Sequence, residues 1–412
     1  MTKIGYVSRM EGLDALRGFA LFGLFIVHMP ELFELYWLNP VTDPLQKAVH
    51  DTVWLLLAGK AFALMALCFG VSFFIIMDRS AQRGVDFTGR FVWRLALLAL
   101  MGLLHGLWYR GDILEVLALM GLLLVPFYRV RSNRVLLWLA VAFMLQPLML
   151  VQIVAGLLGA EWANRPPGYW NLPMSEVSLH GSFLDTVRIN VVEGHAQKWS
   201  FMYGSGRLSQ IMGLSLLGMV LGRIGFFARP AQFARARHIG LVLALLVAVL
   251  LYFVREPLAQ LVPASATVVV PRALAGAVLA SLFDLVMMAV LMLGFLWLYH
   301  GPLHRALGLL APAGRMTLSL YVGQSLVFVP VFYGYGLGLY ASMTQLQAVL
   351  LGLAAFAAQL LLAHLWFRRF YYGPLEWAWR AGTYLTTGVP FVRPRVPAPP
   401  LRPLREGEGG TG

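Results

Sequence analysis

Ten apolar runs of 16 to 26 residues alternate with short polar stretches along the chain, at 13–30, 60–77, 91–109, 113–128, 135–159, 208–227, 239–254, 274–299, 317–335 and 346–367. A helix of about 20 apolar residues spans the hydrocarbon core of a bilayer, so each run is a candidate crossing. The pattern predicts an all-α polytopic membrane protein with about ten transmembrane helices. Residues 31–58 interrupt it with a polar and then amphipathic stretch. The longest interruption, 160–206, holds Trp162, Tyr169, Trp170, Trp199 and Tyr203. Those side chains favour the membrane–water boundary, which predicts interfacial helices lying over the bundle. From Pro390 the tail is too rich in Pro and Gly to pack and is expected to be disordered. Residues 1–385 thus read as one helical domain and 386–412 as its tail.

Arginines cluster after the second run (Arg79, Arg83, Arg90), the fourth (Arg129, Arg131, Arg134), the sixth (Arg229, Arg235, Arg237) and the tenth (Arg368, Arg369, Arg380). With ten crossings all these loops share the side of the N-terminus, so both termini are predicted cytoplasmic and 160–206 outside. The first apolar run has no small-residue cleavage site after it and reads as a retained span.

Composition narrows the picture further. The 412 residues are 59% hydrophobic and 12% charged, which excludes an ordinary soluble domain. The net charge of +13 sits mostly in the short loops, so it reports topology and not a nucleic-acid partner. A single cysteine, Cys68, rules out an intramolecular disulfide.

Candidate chemistry is sparse, which makes its positions informative. Arg17 and His28 lie eleven residues apart, about three turns, so they share a helix face some ~16 Å apart along the axis. Asp14 sits beside Arg17; a plain reading has the two pair at the interface while His28 snorkels to the opposite one. Arg94 and His105 repeat the spacing, and Asp112 follows seven residues on at the turn Arg110-Gly111-Asp112. A carboxylate near an imidazole fixes its tautomer. Lys60, Gln210, Asp284, Tyr321, Gln324 and Gln359 are further polar groups within spans. Most such residues join helices; Asp284 needs a partner or a proton. Glycines at 213, 218 and 222 read as a close-packing face. No metal site is predicted: His300 and His304 flank the helix-breaking Gly301-Pro302. Neither a P-loop nor a GxSxG elbow occurs.

Five ordered segments carry a resemblance: LDALRGFALFG, WRLALLALMGLLHGLWYRGDILEVLALMGLL, LLGMVLGRIGFF, AGRMTLSLYVGQS and YGPLEWAWR. Together they resemble the bacterial YeiB-like family, whose domain of unknown function 418 corresponds to about residues 205–385 here. More distantly the chain is similar to transmembrane acyltransferases, the acyltransferase-3 proteins and the lysosomal heparan acetyltransferase. Acyltransferase-3 proteins carry an Arg, ten intervening residues and a His on the first helix, and Arg17 and His28 match that pattern. Many YeiB-like proteins have Asn at the position of His28, so this chain departs toward the acyltransferase pattern.

The resemblance implies a bacterial inner-membrane acyltransferase with no tightly bound cofactor and acyl-coenzyme A as co-substrate. Arg17, Arg94 and Arg90, with Asp14 beside them, are then the donor-phosphate site. His28 is the expected general base toward an envelope glycan or lipid acceptor. His105 with Asp112 is expected as a second acid–base pair or as its support. His28, His105 and Asp112 should line one cavity open to the outer side. Two rivals remain: a transporter of a small anionic or amphipathic solute, with the same faces lining its path, and a non-catalytic membrane scaffold.

Overall fold

A computed structural model of the chain describes residues 10–35, 41, 43–165, 175–263 and 270–394. The order is α1 (Glu11–His28), α2 (Pro44–Leu56), α3 (Lys60–Ala81), α4 (Thr88–Gly106), α5 (Leu114–Leu124), α6 (Asn133–Met144), α7 (Pro147–Leu157), α8 (Ser175–His180) and α9 (Phe183–Ile189). It continues with α10 (His195–Gly204), α11 (Arg207–Arg223), α12 (Ala234–Gln260), α13 (Val270–Tyr299), α14 (His304–Gly308), α15 (Ala311–Arg315), α16 (Thr317–Phe332), α17 (Gln345–Arg369) and α18 (Pro374–Tyr384). Among the described residues there is no strand, only one antiparallel bridge, Phe370 to Val392.

Every predicted apolar run contains a helix, but length and composition support fewer crossings than ten. Pro44–Ala81, α12, α13 and α17 are long and apolar enough to cross a membrane. Two bent pairs, Asn133–Met144 with Pro147–Leu157 at 44° and His304–Arg315 with Thr317–Phe332 at 79°, raise four to six if each is one span. The reasons lie in the sequence. The 18 residues of α1 include Glu11, Asp14 and Arg17. After 11 residues α5 gives way to a tighter helical turn, where Pro126 cannot continue the hydrogen-bond ladder. The fifth run breaks at Gln146, which is left-handed (φ +56°) immediately before Pro147.

The bundle is built around α1, which touches α2, α3, α13, α14, α15, α16 and α17. Leu13, Ala15, Leu16, Ala20, Leu21 and Phe25 are buried there. Between helices in lipid, close backbone approach replaces hydrophobic drive. Gly18 and Gly314 supply it: a Cβ on Gly18 would strike the Leu310 carbonyl, and one on Gly314 the Asp14 carbonyl. The predicted glycine face on α11 serves the same purpose, with Gly218 set against the Leu67 carbonyl of α3. The outer face of α12, with Leu243, Leu246, Leu250 and Phe253 exposed, is apolar as a lipid-facing surface requires.

The segment expected as interfacial forms short helices that dock on the turn after α4, where Asn190 donates to the Leu107 carbonyl at 3.0 Å. Tyr169 and Trp170 lie outside the described residues. At the start of the tail Phe391 packs at a tilt on Trp366, Phe370 and Trp377, and Trp377 donates to the Val389 carbonyl at 2.9 Å. Aromatic partners thus outweigh the local Pro content; residues from 395 onward lie outside the described residues.

Candidate functional site

Helix α4 ends at Gly106, and the turn that follows doubles back so that Asp112 meets the histidine seven residues before it. His105 Nδ1 is 2.6 Å from Asp112 Oδ1, and both side chains are buried. The other Asp112 oxygen accepts from the backbone N–H of Leu114 at 2.9 Å. With the carboxylate ionised and the ring neutral, Nδ1 is the donor to Asp112 and Nε2 an acceptor. Ser325 of α16 fills that position, its Oγ 2.5 Å from Nε2. The same hydroxyl receives a hydrogen bond from Trp108 Nε1 at 3.3 Å and has the Val322 carbonyl 2.9 Å away.

Beside this series stands His28, at the end of α1. Its Nδ1 lies 3.1 Å from Glu31 Oε2 and 3.3 Å from the Tyr109 hydroxyl. The buried Tyr109 ring separates the two histidines, at 5.8 Å from His28 and 5.7 Å from His105 between ring centres. After α1 the chain enters a run of left-handed residues, Leu32 (φ +50°), Phe33 (φ +50°) and Glu34 (φ +79°). Left-handed backbone costs L-residues about 1–2 kcal/mol each, so something must hold it. Phe33 is buried against Phe328 and Phe332, Tyr333 donates to its carbonyl at 3.0 Å, and Glu34 pairs with Arg110. Glu31, just before that turn, lies beside His28, and Glu34 within it holds Arg110.

A second carboxylate cluster closes the same end. Glu115, in the first turn of α5, pairs with Lys198 and lies 3.0 Å from His195 Nδ1, both from α10. Burial pushes the Lys198 ammonium down to about 8, a fall that Asp112 and Glu34 partly oppose.

A cavity of about 230 Å³ begins at the opposite end of these helices. Arg17 and Arg94 stand on its wall with Trp379 of α18, over whose ring the Arg94 guanidinium sits at 3.6 Å. From there it follows α1 past Leu21 and Leu24, the face predicted to join Arg17 to His28, between Phe69, Leu95 and Leu98. Its wall ends at Ile113, Leu114, Leu117 and Tyr321. Tyr321 packs on His105 at 5.4 Å between ring centres, and its hydroxyl is 3.3 Å from the Ile113 N–H. The cavity therefore stops one helical turn short of His28 on α1 and of Ser325 on α16.

His28, His105 and Asp112 gather at one end of the bundle, as expected of a shared site, and are not among the residues that line this cavity. His105 and Asp112 are buried, whereas His28 is partly exposed. Asp14 and Arg17 are 3.8 Å apart, as the plain reading had it, yet Arg17 also faces the cavity. Arg90 is exposed, lies over Tyr384 at 5.3 Å and is off the cavity wall. Asp284 finds a lysine, Lys60, at 2.5 Å. Among the described residues no group of metal-ligating side chains forms, and His304 Nδ1 instead faces the Tyr299 carbonyl at 3.0 Å. Sequence reasoning missed Tyr109, Glu34, Glu115, His195, Lys198 and Ser325. Of these, Ser325, inside the quoted segment AGRMTLSLYVGQS, and Tyr109 and Glu115, inside WRLALLALMGLLHGLWYRGDILEVLALMGLL, carried a signal; Glu34, His195 and Lys198 carried none.

Fold and site define an all-helical membrane protein with a buried His–Asp pair at the end of an arginine-lined cavity. Residues 221–386 match the family profile DUF418, a protein of unknown function, and residues 9–165 match that of heparan-alpha-glucosaminide N-acetyltransferase, catalytic. The chain is 27% identical over 410 residues to the uncharacterized protein YxaH of Bacillus subtilis, covering 92% of this chain and 95% of that one. It is 26% identical over 403 residues to the uncharacterized protein YeiB of Escherichia coli, covering 93% and 98%. The chain is thus similar to these uncharacterized proteins along nearly its whole length, with the DUF418 match in its C-terminal part. The N-terminal match contains Arg17, His28, Arg94, His105 and Asp112, and the DUF418 match contains Tyr321 and Ser325. The site is thus assembled from both.

Proposed function

We propose that the protein is an acyltransferase of the bacterial inner membrane, passing an acyl group from a cytoplasmic acyl-coenzyme A to a cell-envelope acceptor. The observation that carries this reading is the cavity from Arg17 and Arg94 to the floor of the His105–Asp112 cluster. An anionic donor head binds the two guanidiniums by charge-assisted hydrogen bonds. The wall beyond them is almost wholly apolar and excludes water from the thioester arm. Likeness of residues 9–165 to an acetyltransferase catalytic region supports the reaction class.

In this reading the ten helical runs cross the membrane with both termini cytoplasmic, so the donor arrives from inside and the acceptor from the opposite face. His28 and His105 are the candidate bases. Asp112 holds the His105 proton on Nδ1, leaving Nε2 to take a proton from an attacking group. His28 has Glu31 in the corresponding role but is less enclosed.

The test is release of free coenzyme A from acetyl-, octanoyl- and palmitoyl-coenzyme A by the purified full chain, with and without envelope extract. Release that depends on the extract and falls at least ~10²-fold in His105→Ala, in protein that keeps its gel-filtration profile, is the expected result. Extract-independent flux of a small anion through proteoliposomes, with no coenzyme A released from any donor, would point to the transporter instead.

A further inference from the structure

Asp112, His105 and Ser325 form a continuous hydrogen-bonded series: carboxylate to Nδ1 at 2.6 Å, Nε2 to Oγ at 2.5 Å. A serine in a helix is satisfied by its own backbone, and the Val322 carbonyl is already 2.9 Å from Ser325 Oγ. The hydroxyl hydrogen therefore has two acceptors within reach, one of them a base. Trp108 Nε1 approaches the same oxygen as a donor, so the one hydroxyl hydrogen is shared between the Val322 carbonyl and His105 Nε2, the latter at the shorter distance. Carboxylate, imidazole and hydroxyl in this order activate a hydroxyl as nucleophile.

Position reinforces the chemistry. Tyr321, on the cavity wall, precedes Ser325 by four residues and so lies one turn below it on the same face of α16. Ile113 and Leu114, also on that wall, directly follow Asp112. Both ends of the series thus sit at the cavity's blind end, with the Tyr321 ring between.

We propose that Ser325 is the nucleophile that receives the acyl group from the donor, so that transfer runs through an acyl-serine ester. The proposal rests on the acyl-transfer reading above. Ser325 Oγ attacks the thioester carbonyl and the C–S bond breaks. The Oγ proton passes through His105 Nε2 to the leaving sulfur, releasing coenzyme A as the thiol. An acceptor hydroxyl or amine then attacks the ester and gives its proton to His105, which returns it to Ser325 Oγ as the C–O bond breaks. Tyr321 must swing aside for the thioester to reach Oγ.

The experiment incubates the full-length protein in detergent with radiolabelled acetyl- and octanoyl-coenzyme A without acceptor, then adds envelope extract. Expected are a burst of about one equivalent of coenzyme A per chain and a covalent label on the peptide containing Ser325. The label should discharge on adding extract. Ser325→Ala should lose the label and at least ~10²-fold of extract-dependent turnover. Ser325→Cys should keep a label as a thioester, removed by neutral hydroxylamine faster than that of the wild type. Should Ser325→Ala fail to fold, this variant decides the matter. Wild-type turnover without burst or label, or undiminished turnover in Ser325→Ala, would overturn the serine step and leave acyl transfer standing. Absence of coenzyme A release from every donor, with or without extract, would overturn both.

Discussion

At Asp112 a carboxylate that no solvent reaches is held by one imidazole and one backbone N–H. Truncating one partner of a buried hydrogen bond leaves the other unsatisfied, typically a loss of about 1–3 kcal/mol. Asp112→Ala should therefore lower the thermal midpoint measured in detergent. Asp112→Asn should keep the fold yet lose coenzyme A release by ~10² or more, since an amide can donate to Nδ1 and shift the ring proton to Nε2. Lys198 gives the pH dependence. Its folded value, about 8, lies below the ordinary lysine value of 10.5, so between those limits the unfolded chain binds more protons. Through this group stability rises with pH across that window, and Lys198→Met should flatten that part of a midpoint-against-pH curve. The spacing of seven between His105 and Asp112 was enough to suggest their pairing. Ser325 and Tyr109 were not legible as partners, because they meet the histidines across long-range packing that no spacing records.

At the scale of elements, α18 explains the segment YGPLEWAWR. Glu376 accepts from the backbone N–H groups of Leu318 and Ser319, at 2.8 and 3.1 Å, and from the Ser319 hydroxyl at 2.5 Å. It thereby caps α16 from outside, while Trp379 donates to the Arg94 carbonyl at 2.8 Å and walls the cavity. Glu376→Ala orphans these donors, so a loss of about 1–3 kcal/mol is expected in denaturant titration. Gly314→Ala brings a methyl against the Asp14 carbonyl, backbone that cannot yield cheaply, and should reduce folded yield by gel filtration. Helix positions were readable because apolar runs of this length have few other solutions. Where runs break was less so: Pro147 marked one break, but the left-handed turn at 32–34 contains no glycine to announce it.

For the whole molecule, arginine placement gives a topology that labelling can check. In a Cys68→Ala background, Val192→Cys should react with an impermeant maleimide on intact cells, and Arg83→Cys only after permeabilisation; the reverse pattern would invert the proposed orientation. Both side chains are exposed, so reactivity reports sidedness. The central claim is that the cavity carries the donor from the two arginines to the histidine cluster. Photocrosslinking with a diazirine-tipped octanoyl-coenzyme A, followed by peptide mapping, tests it most directly. Labels should fall on the peptides containing Leu114, Leu117 and Tyr321, vanish with excess unlabelled donor, and weaken in Arg17→Ala and Arg94→Ala. Labels confined to lipid-facing α12 and indifferent to competitor would contradict the account.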